Sequence, residues 1–238
     1  RWPITATLKK DLLGRQFEKI DRRGKYLLCY TDHGCMIMHL GMSGSLRIIN
    51  KNIKPDKHDH LDIMFASGNI LRLHDPRRFG SVIWTRKDPL QHKLIKDLGP
   101  EPLSKDFNGT WLYKRSRKRT QAVKNFIMVS HNVAGVGNIY ASESLFLAGI
   151  NPKRKAGNVS LERYENLASA IKEILNQSIK QGGTTLRDFF NSEGKPGYFQ
   201  QQLNVYGRAG QPCKKCKSKI KEIKLGQRSS FYCPICQT

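Results

Sequence analysis

Four cysteines near the C-terminal end constrain this chain more than any other feature. Cys213-Lys214-Lys215-Cys216 and Cys233-Pro234-Ile235-Cys236 form a C-x2-C-x16-C-x2-C pattern. Each CxxC knuckle sets two thiolates on one side of a tight turn, and two knuckles supply a full tetrahedral donor set for one Zn2+. So short a stretch cannot bury a core of its own, so the metal is expected to supply its folding energy. Four thiolates leave no open position for water or substrate, which makes the expected zinc structural. Gly226 and the Phe231-Tyr232 pair between the knuckles read as a two-stranded ribbon. Six lysines (214, 215, 217, 219, 221 and 224) face the single acid Glu222 in this ribbon, and Arg228 is expected near the hairpin tip. Cys29 and Cys35 lie apart in an apolar, strand-like region, and the first residues are not followed by the apolar stretch of a secretory signal. That usage favours metal ligation over a disulfide scaffold.

The chain as a whole is also strongly basic. Forty-two Lys and Arg against nineteen Asp and Glu give a net charge of +23 over 238 residues. An excess of that size exceeds what solubility needs and points to a polyanionic partner, nucleic acid first, with anionic lipid or a ribosomal surface as competitors. No apolar run approaches the length of a membrane span.

Two patterns divide the remainder. From residue 16 to residue 84, short apolar runs such as Tyr26-Leu27-Leu28-Cys29-Tyr30, Leu61-Asp62-Ile63-Met64-Phe65 and Ile70-Leu71-Arg72-Leu73 alternate with Gly/Asn turns, which predicts an antiparallel sheet or sandwich. Leu12-Leu13-Gly14 is expected to close a short helix. Beyond residue 86 the spacing becomes helical. Helices are predicted from Thr120 to Met128, from Ile139 to Ala148, and after the N-cap Ser160, where Tyr164, Leu167, Ile171, Leu175 and Ile179 are expected to form one buried face ended by Gly182-Gly183. Between the first two, His131 to Asn138 is too rich in turn residues for one helix, giving helix, two tight turns, helix. That arrangement can aim a helix start at a phosphate.

Other residues stand out by their surroundings. Met42 lies in Leu40-Gly41-Met42-Ser43-Gly44 and Phe79 in Asp75-Pro76-Arg77-Arg78-Phe79-Gly80. Large apolar side chains beside cations on turns suit wedges into a base stack, and the competing reading is core. Arg77 and Arg78 can contact phosphates or base edges. The run Lys114, Arg115, Arg117, Lys118 and Arg119 reads equally as a phosphate-binding stripe or a solvated helix face. His58-Asp59-His60 would put two histidines on one face of a strand without a third metal ligand, so a phosphate contact is easier to support. No Ser-His-Asp set, Walker loop or dinucleotide fingerprint stands out.

Taken together, these blocks resemble the formamidopyrimidine-DNA glycosylase family. The resemblance is carried by Arg22-Arg23-Gly24-Lys25-Tyr26-Leu27-Leu28, the Met42 and Phe79 blocks with His39 before the first, and Gly135-Val136-Gly137-Asn138-Ile139-Tyr140-Ala141-Ser142-Glu143. It continues with Gly194-Lys195-Pro196-Gly197-Tyr198-Phe199, Val205-Tyr206-Gly207-Arg208 and the cysteine ribbon, in family order over essentially the whole chain. It implies an α+β, two-lobed fold: a β-sandwich lobe at 1–98, a helix-two-turns-helix domain at 99–208 and a zinc ribbon at 209–238. The implied activity is base-excision repair of oxidised purines, 8-oxoguanine and formamidopyrimidines, in damaged double-stranded DNA by a monomer in the bacterial cytoplasm, with no membrane partner. The damaged nucleotide would be everted into a pocket, since its glycosidic carbon is out of reach inside the stack. By similarity Lys25, His58, Lys124, Asn138, Tyr206 and Arg228 hold phosphates. Met42, Arg77 and Phe79 fill the vacated space, with Arg77 reading the orphaned cytosine. Gly194, Lys195, Gly197 and Tyr198 belong to a loop (192–199) that caps the lesion.

The resemblance departs at the front. The family's nucleophile is an N-terminal proline amine, followed by a glutamate that moves protons, and this sequence opens with Arg1 and contains neither. The expectation is therefore a sequence that starts partway into a longer protein, with these residues alone inactive as a glycosylase and AP lyase. The alternative is a non-catalytic protein that binds damaged or abasic DNA.

Overall fold

The computed structural model describes residues 2–50, 52–183 and 202–238. They divide into two compact units, one made of residues up to Lys96 together with 181–183, the other of Asp97–Lys180 with 202–238.

In the first unit α1 (Leu8–Leu12) is followed by Gly14 in the left-handed conformation, φ +71°, that lets the chain leave the helix. Seven strands follow: β1 (Lys19–Arg23), β2 (Tyr26–Thr31), β3 (Gly34–His39), β4 (Ser45–Asn50), β5 (Asp59–Met64), β6 (Asn69–His74) and β7 (Ser81–Thr85). They form two antiparallel sheets, ordered β1-β2-β3-β7 and β4-β6-β5. Cys29, Met36 and Met38 of the first sheet share one apolar cluster with Leu73, Leu46, Leu61 and Ile63 of the second, so the sheets are the faces of a sandwich. Cys29 and Cys35 are free buried thiols, and burial pushes Cys35 up to about 12, which makes it an inert core residue. Arg72, only 4% exposed, donates from Nε and Nη2 to the two oxygens of Asp62 at 2.8 and 2.7 Å and caps the carbonyls of Ile53 and Lys54. A buried guanidinium thus fixes the long connection before β5.

The second unit is helical with a hairpin at its end: α2 (Gly109–Ser116), α3 (Val123–Met128), α4 (Asn138–Leu147), α5 (Leu161–Lys180), β8 (Lys221–Leu225) and β9 (Arg228–Tyr232). Phe107, Leu112, Phe126, Ile127, Leu145, Tyr164, Leu167 and Ile171 make its core. Ser160 Oγ accepts from Arg163 N at 3.3 Å, the expected cap of α5.

Two helical expectations are corrected. The helix expected from Thr120 begins at Val123, because Ala122 bridges Lys155 and Val123 N donates to the Arg154 carbonyl, which takes the preceding residues out of the helix. Ile179 is 65% exposed rather than buried. Successive steps of four residues overshoot a 3.6-residue turn by about 40° each, so Ile179 lies about 120° round from Leu167. Ile174 and Ser178 take the inward positions.

Candidate nucleic-acid interface and metal centre

The four ribbon cysteines converge. Their sulfurs all lie within 4.8 Å of one another, with Cys213 Sγ to Cys236 Sγ at 3.9 Å and Cys216 Sγ to Cys233 Sγ at 3.4 Å. Tetrahedral Zn–S bonds of about 2.3 Å separate sulfurs by about 3.8 Å, so the donor set fits one Zn2+. The knuckles are held by the backbone: Cys213 N donates to the Ser218 carbonyl at 2.8 Å, and Cys233 N to Gln237 Oε1 at 2.8 Å. These cysteines form a structural zinc site, and Phe146 of α4 packs into the apolar cluster around Cys213, Ile220, Phe231 and Cys233. At the hairpin tip Gly226 (φ +54°) and Gln227 (φ +62°) are both left-handed, a two-residue turn that leads into Arg228 at the start of β9. Arg228 is exposed there, as its place in the sequence suggested.

The tip is tied to the helices from inside. Lys124, on α3, is 1% exposed, and its ammonium donates to the Ser229 carbonyl at 2.9 Å and Ser230 Oγ at 2.7 Å. Burial, with the nearby Arg228 charge, lowers its pKa to about 8. Asn138, the first residue of α4, donates from Nδ2 to the same Ser229 carbonyl at 3.1 Å and to the Tyr206 hydroxyl at 3.2 Å. Tyr206 accepts in that bond and so keeps its own proton to give. The segment bearing Tyr206 hangs from Glu143, a fully buried carboxylate on α4. It accepts from Asn204 N (2.8 Å), Asn204 Nδ2 (3.1 Å), Val205 N (2.9 Å) and Tyr206 N (2.9 Å). Four of the six residues matched to phosphate contacts, Lys124, Asn138, Tyr206 and Arg228, therefore gather at one place.

The other two lie in the sandwich unit. Lys25 is exposed in the β1–β2 turn close to His39, whose pKa is lowered by burial and then by the Lys25 charge. His39 Nδ1 accepts from Gly41 N at 2.9 Å, which requires the neutral ring. His58 precedes β5 and stacks edge-on against His74 at 5.8 Å, while His60 Nε2 donates to the Asp75 carbonyl at 3.0 Å. A register shift between Asp59 and Leu61 interrupts the alternation the sequence suggested, and the two histidines go to different partners. Among the described residues only the four cysteines form a metal-competent group.

Met42 is 66% exposed, so its competing reading as core is set aside. Arg77 is exposed with its guanidinium 5.2 Å above the half-buried Phe79 ring. In the basic run that spans the end of α2, Lys114, Lys118 and Arg119 are exposed, while two arginines pack against aromatic rings. Arg115 lies over Trp111 and donates to Asn132 Oδ1, and Arg117 lies 3.8 Å over Tyr113 and donates to the carbonyls of Tyr113 and Val159. The residues expected to cap the lesion, Gly194, Lys195, Gly197 and Tyr198, lie outside the described residues. Sequence reasoning missed Glu143, Asp75 and His39 as site-building residues. All three stand inside or beside the quoted blocks, but only their distant hydrogen-bond partners reveal what they do.

A sandwich, a helix-two-turns-helix unit and a four-cysteine ribbon whose hairpin tip is bonded to the start of α4 define a class of zinc-containing, strongly basic proteins. Residues 1–82 match the formamidopyrimidine-DNA glycosylase N-terminal domain, 98–190 the formamidopyrimidine-DNA glycosylase H2TH domain, and 210–238 the zinc finger found in FPG and IleRS. The chain is 58% identical over 238 residues to a formamidopyrimidine-DNA glycosylase of Teredinibacter turnerae and 56% identical over 237 residues to one of Methylococcus capsulatus, covering all of this chain and 88% of each relative. It superposes on Lactococcus lactis Fpg in complex with abasic-site DNA with a TM-score of 0.89 at 37% identity, covering 97% of this chain and 85% of that one. A MutM complex with DNA containing carbocyclic 8-oxo-G gives 0.88 at 37% identity, with the same coverage. The chain belongs to the formamidopyrimidine-DNA glycosylase family.

Proposed function

We propose that the protein repairs oxidised purines in duplex DNA as a glycosylase and AP lyase. The observation that carries the reading is the joining, on the zinc hairpin, of Asn138, Tyr206 and the exposed Arg228, in a chain of net charge +23. A helix start, a hydroxyl with a proton to give and a guanidinium together suit one phosphate of a distorted strand. Lys124 supports this grip from behind, with its ammonium committed to the hairpin. Lys25 and His58 would hold phosphates on the sandwich side. Met42, Arg77 and Phe79 would fill the space left by an everted base, with Arg77 reading the orphaned partner. Relatives of bacterial origin support work on bacterial chromosomal DNA, and among the described residues no helix is long and apolar enough to cross a membrane.

In the family's chemistry an N-terminal proline amine displaces the damaged base from the sugar C1′, the base leaving with a proton, and the Schiff base formed as the sugar ring opens is the electron sink that permits elimination of the flanking phosphates. The grip is what these residues are proposed to supply, and the first of the 238 is Arg1 rather than that proline. A polypeptide of these residues alone is therefore expected to bind duplex DNA containing 8-oxoguanine or an abasic site, with affinity falling steeply as salt rises. It should give no covalent adduct on borohydride reduction, whereas a form carrying a proline N-terminus upstream in the family manner should. An adduct from the shorter polypeptide, abolished by Lys25→Met, would move the nucleophile to Lys25. Absence of any preference for the lesion duplex in both forms would refute the proposed activity.

A further inference from the structure

Two sequence-distant loops carry the wedge residues, 40–44 with Met42 and 75–80 with Arg77 and Phe79, and one carboxylate joins them. Asp75 is 2% exposed. Its Oδ1 accepts from Ser43 Oγ at 3.2 Å, and its Oδ2 accepts from Gly80 N at 2.7 Å. Its main chain extends the same junction: Asp75 N donates to the His58 carbonyl at 2.9 Å, and its own carbonyl accepts from His60 Nε2 at 3.0 Å and from Arg78 N at 3.2 Å. The last bond closes a turn over Pro76, after which Arg78 is left-handed at φ +53°. The loops also touch directly. Gly41 is left-handed at φ +67°, and a methyl group there would lie 2.6 Å from the Phe79 carbonyl carbon and 2.7 Å from Gly80 N. A methyl on Gly80 would come within 2.9 Å of Asp75 Oδ2, so the bare glycine is what lets the carboxylate reach the backbone.

We infer that Asp75 is a positioning residue that sets the two wedge loops as one rigid insert, so that Met42 and Phe79 enter the duplex together. The inference rests on the wedge reading proposed above. An insert that must hold an unstacked step open gains from a fixed spacing, because each loop ordered beforehand is one less to order on binding. A carboxylate suits this role because bonds to an ionised acceptor are roughly twice as strong as neutral ones, and here one group spends both oxygens on different loops. It also lies in the interior, out of reach of the phosphates that an exposed acid would repel.

The test compares affinity for a duplex with a reduced abasic site against the undamaged duplex, with 2-aminopurine beside the site reporting unstacking. Asp75→Ala should lower the lesion preference about tenfold, and Ser43→Ala, which severs one arm, about threefold. Both should leave affinity for undamaged DNA within about twofold, since the phosphate contacts remain. Asp75→Asn should recover most of the preference, because its oxygen can still accept from Gly80 N while its amide donates to Ser43 Oγ. The 2-aminopurine signal should fall in step with the preference, which general destabilisation at a temperature well below unfolding would not produce. If Asp75→Ala does not fold, Ser43→Ala decides. Phe79→Ala separates the wedge from its positioning. Loss of preference in Phe79→Ala with none in Ser43→Ala or Asp75→Ala overturns the positioning role and leaves the wedge standing. Full preference in Phe79→Ala removes the wedge and the positioning role with it.

Discussion

Glu143 offers the sharpest test of how the grip is held. Its side chain is fully buried and receives three backbone N–H groups and one side-chain amide from Asn204, Val205 and Tyr206. Glu143→Ala removes every acceptor at once. Asn204 can swing its amide toward water, but the three N–H donors are left in an apolar setting beside the fully buried Val205. At about 1–3 kcal/mol for each buried donor left without a partner, and some relief from water entering the vacated space, the loss should be about 3–5 kcal/mol. Glu143→Gln keeps one oxygen and turns an NH2 toward two donors, so it should cost about 2–3 kcal/mol despite its matching shape. Urea unfolding followed by tryptophan fluorescence in a Trp2→Phe, Trp84→Phe background, which leaves Trp111 as the reporter, would give the size of the effect. Amide exchange would give its place: protection of Val205 and Tyr206 should drop in both variants more than that of Leu145 on the same helix. A cost below about 1 kcal/mol for the alanine variant, or exchange that rises uniformly, would refute the reasoning.

Two other outcomes follow from the same geometry. Cys233→Ser should take zinc from one ion per chain to none by elemental analysis and weaken duplex binding at fixed salt, because Arg228 and the Ser229 carbonyl lose their platform; zinc-free protein with undiminished affinity would show that the hairpin is not part of the grip. His39 should produce a pH dependence of known sign. Its pKa is lowered in the fold by burial and by Lys25, so the unfolded chain takes up the proton first, and the stability it contributes is present above about 6.5 and is lost as pH falls toward the folded value. His39→Asn keeps an acceptor for Gly41 N and has no proton to take up, so urea midpoints measured from pH 7 to pH 5 should fall less in the variant than in the parent; parallel curves would remove His39 from the account.

What could be read in the sequence was local. Tetrahedral zinc requires only the spacing of two CxxC pairs, hairpins announce themselves by Gly and Asn between apolar runs, and the turns between α3 and α4 follow from a stretch too rich in glycine to stay helical. The same locality explains the misreadings. Nothing near Thr120 shows that Ala122 will be drawn into a bridge with Lys155, and steps of four residues looked like one helix face until the accumulated rotation turned Ile179 outward. The site was legible as a set of blocks and not as a set of bonds. Asp75 read as part of a turn and Glu143 as the end of a conspicuous run. Their partners lie 32 and up to 63 residues away, and such pairings are decided only once the elements pack. Lys124 shows the same limit from the other side. Its charge suggested contact with DNA, and its position in the chain gave no sign that two serines more than a hundred residues on would hold its ammonium.

That last separation bears on the order in which the molecule is made. The acceptors of the Lys124 ammonium lie 105 and 106 residues downstream, so they leave the ribosome long after the helices they serve. Until then α3 and α4 can pack on each other, since their mutual contacts are short in sequence, while Lys124 and Asn138 have only water to bond. At about 5–20 residues per second, several seconds of synthesis pass between the lysine and the serines that receive it. A nascent chain thus acquires its helices early and its hold on the hairpin late, when the metal and the second knuckle arrive together.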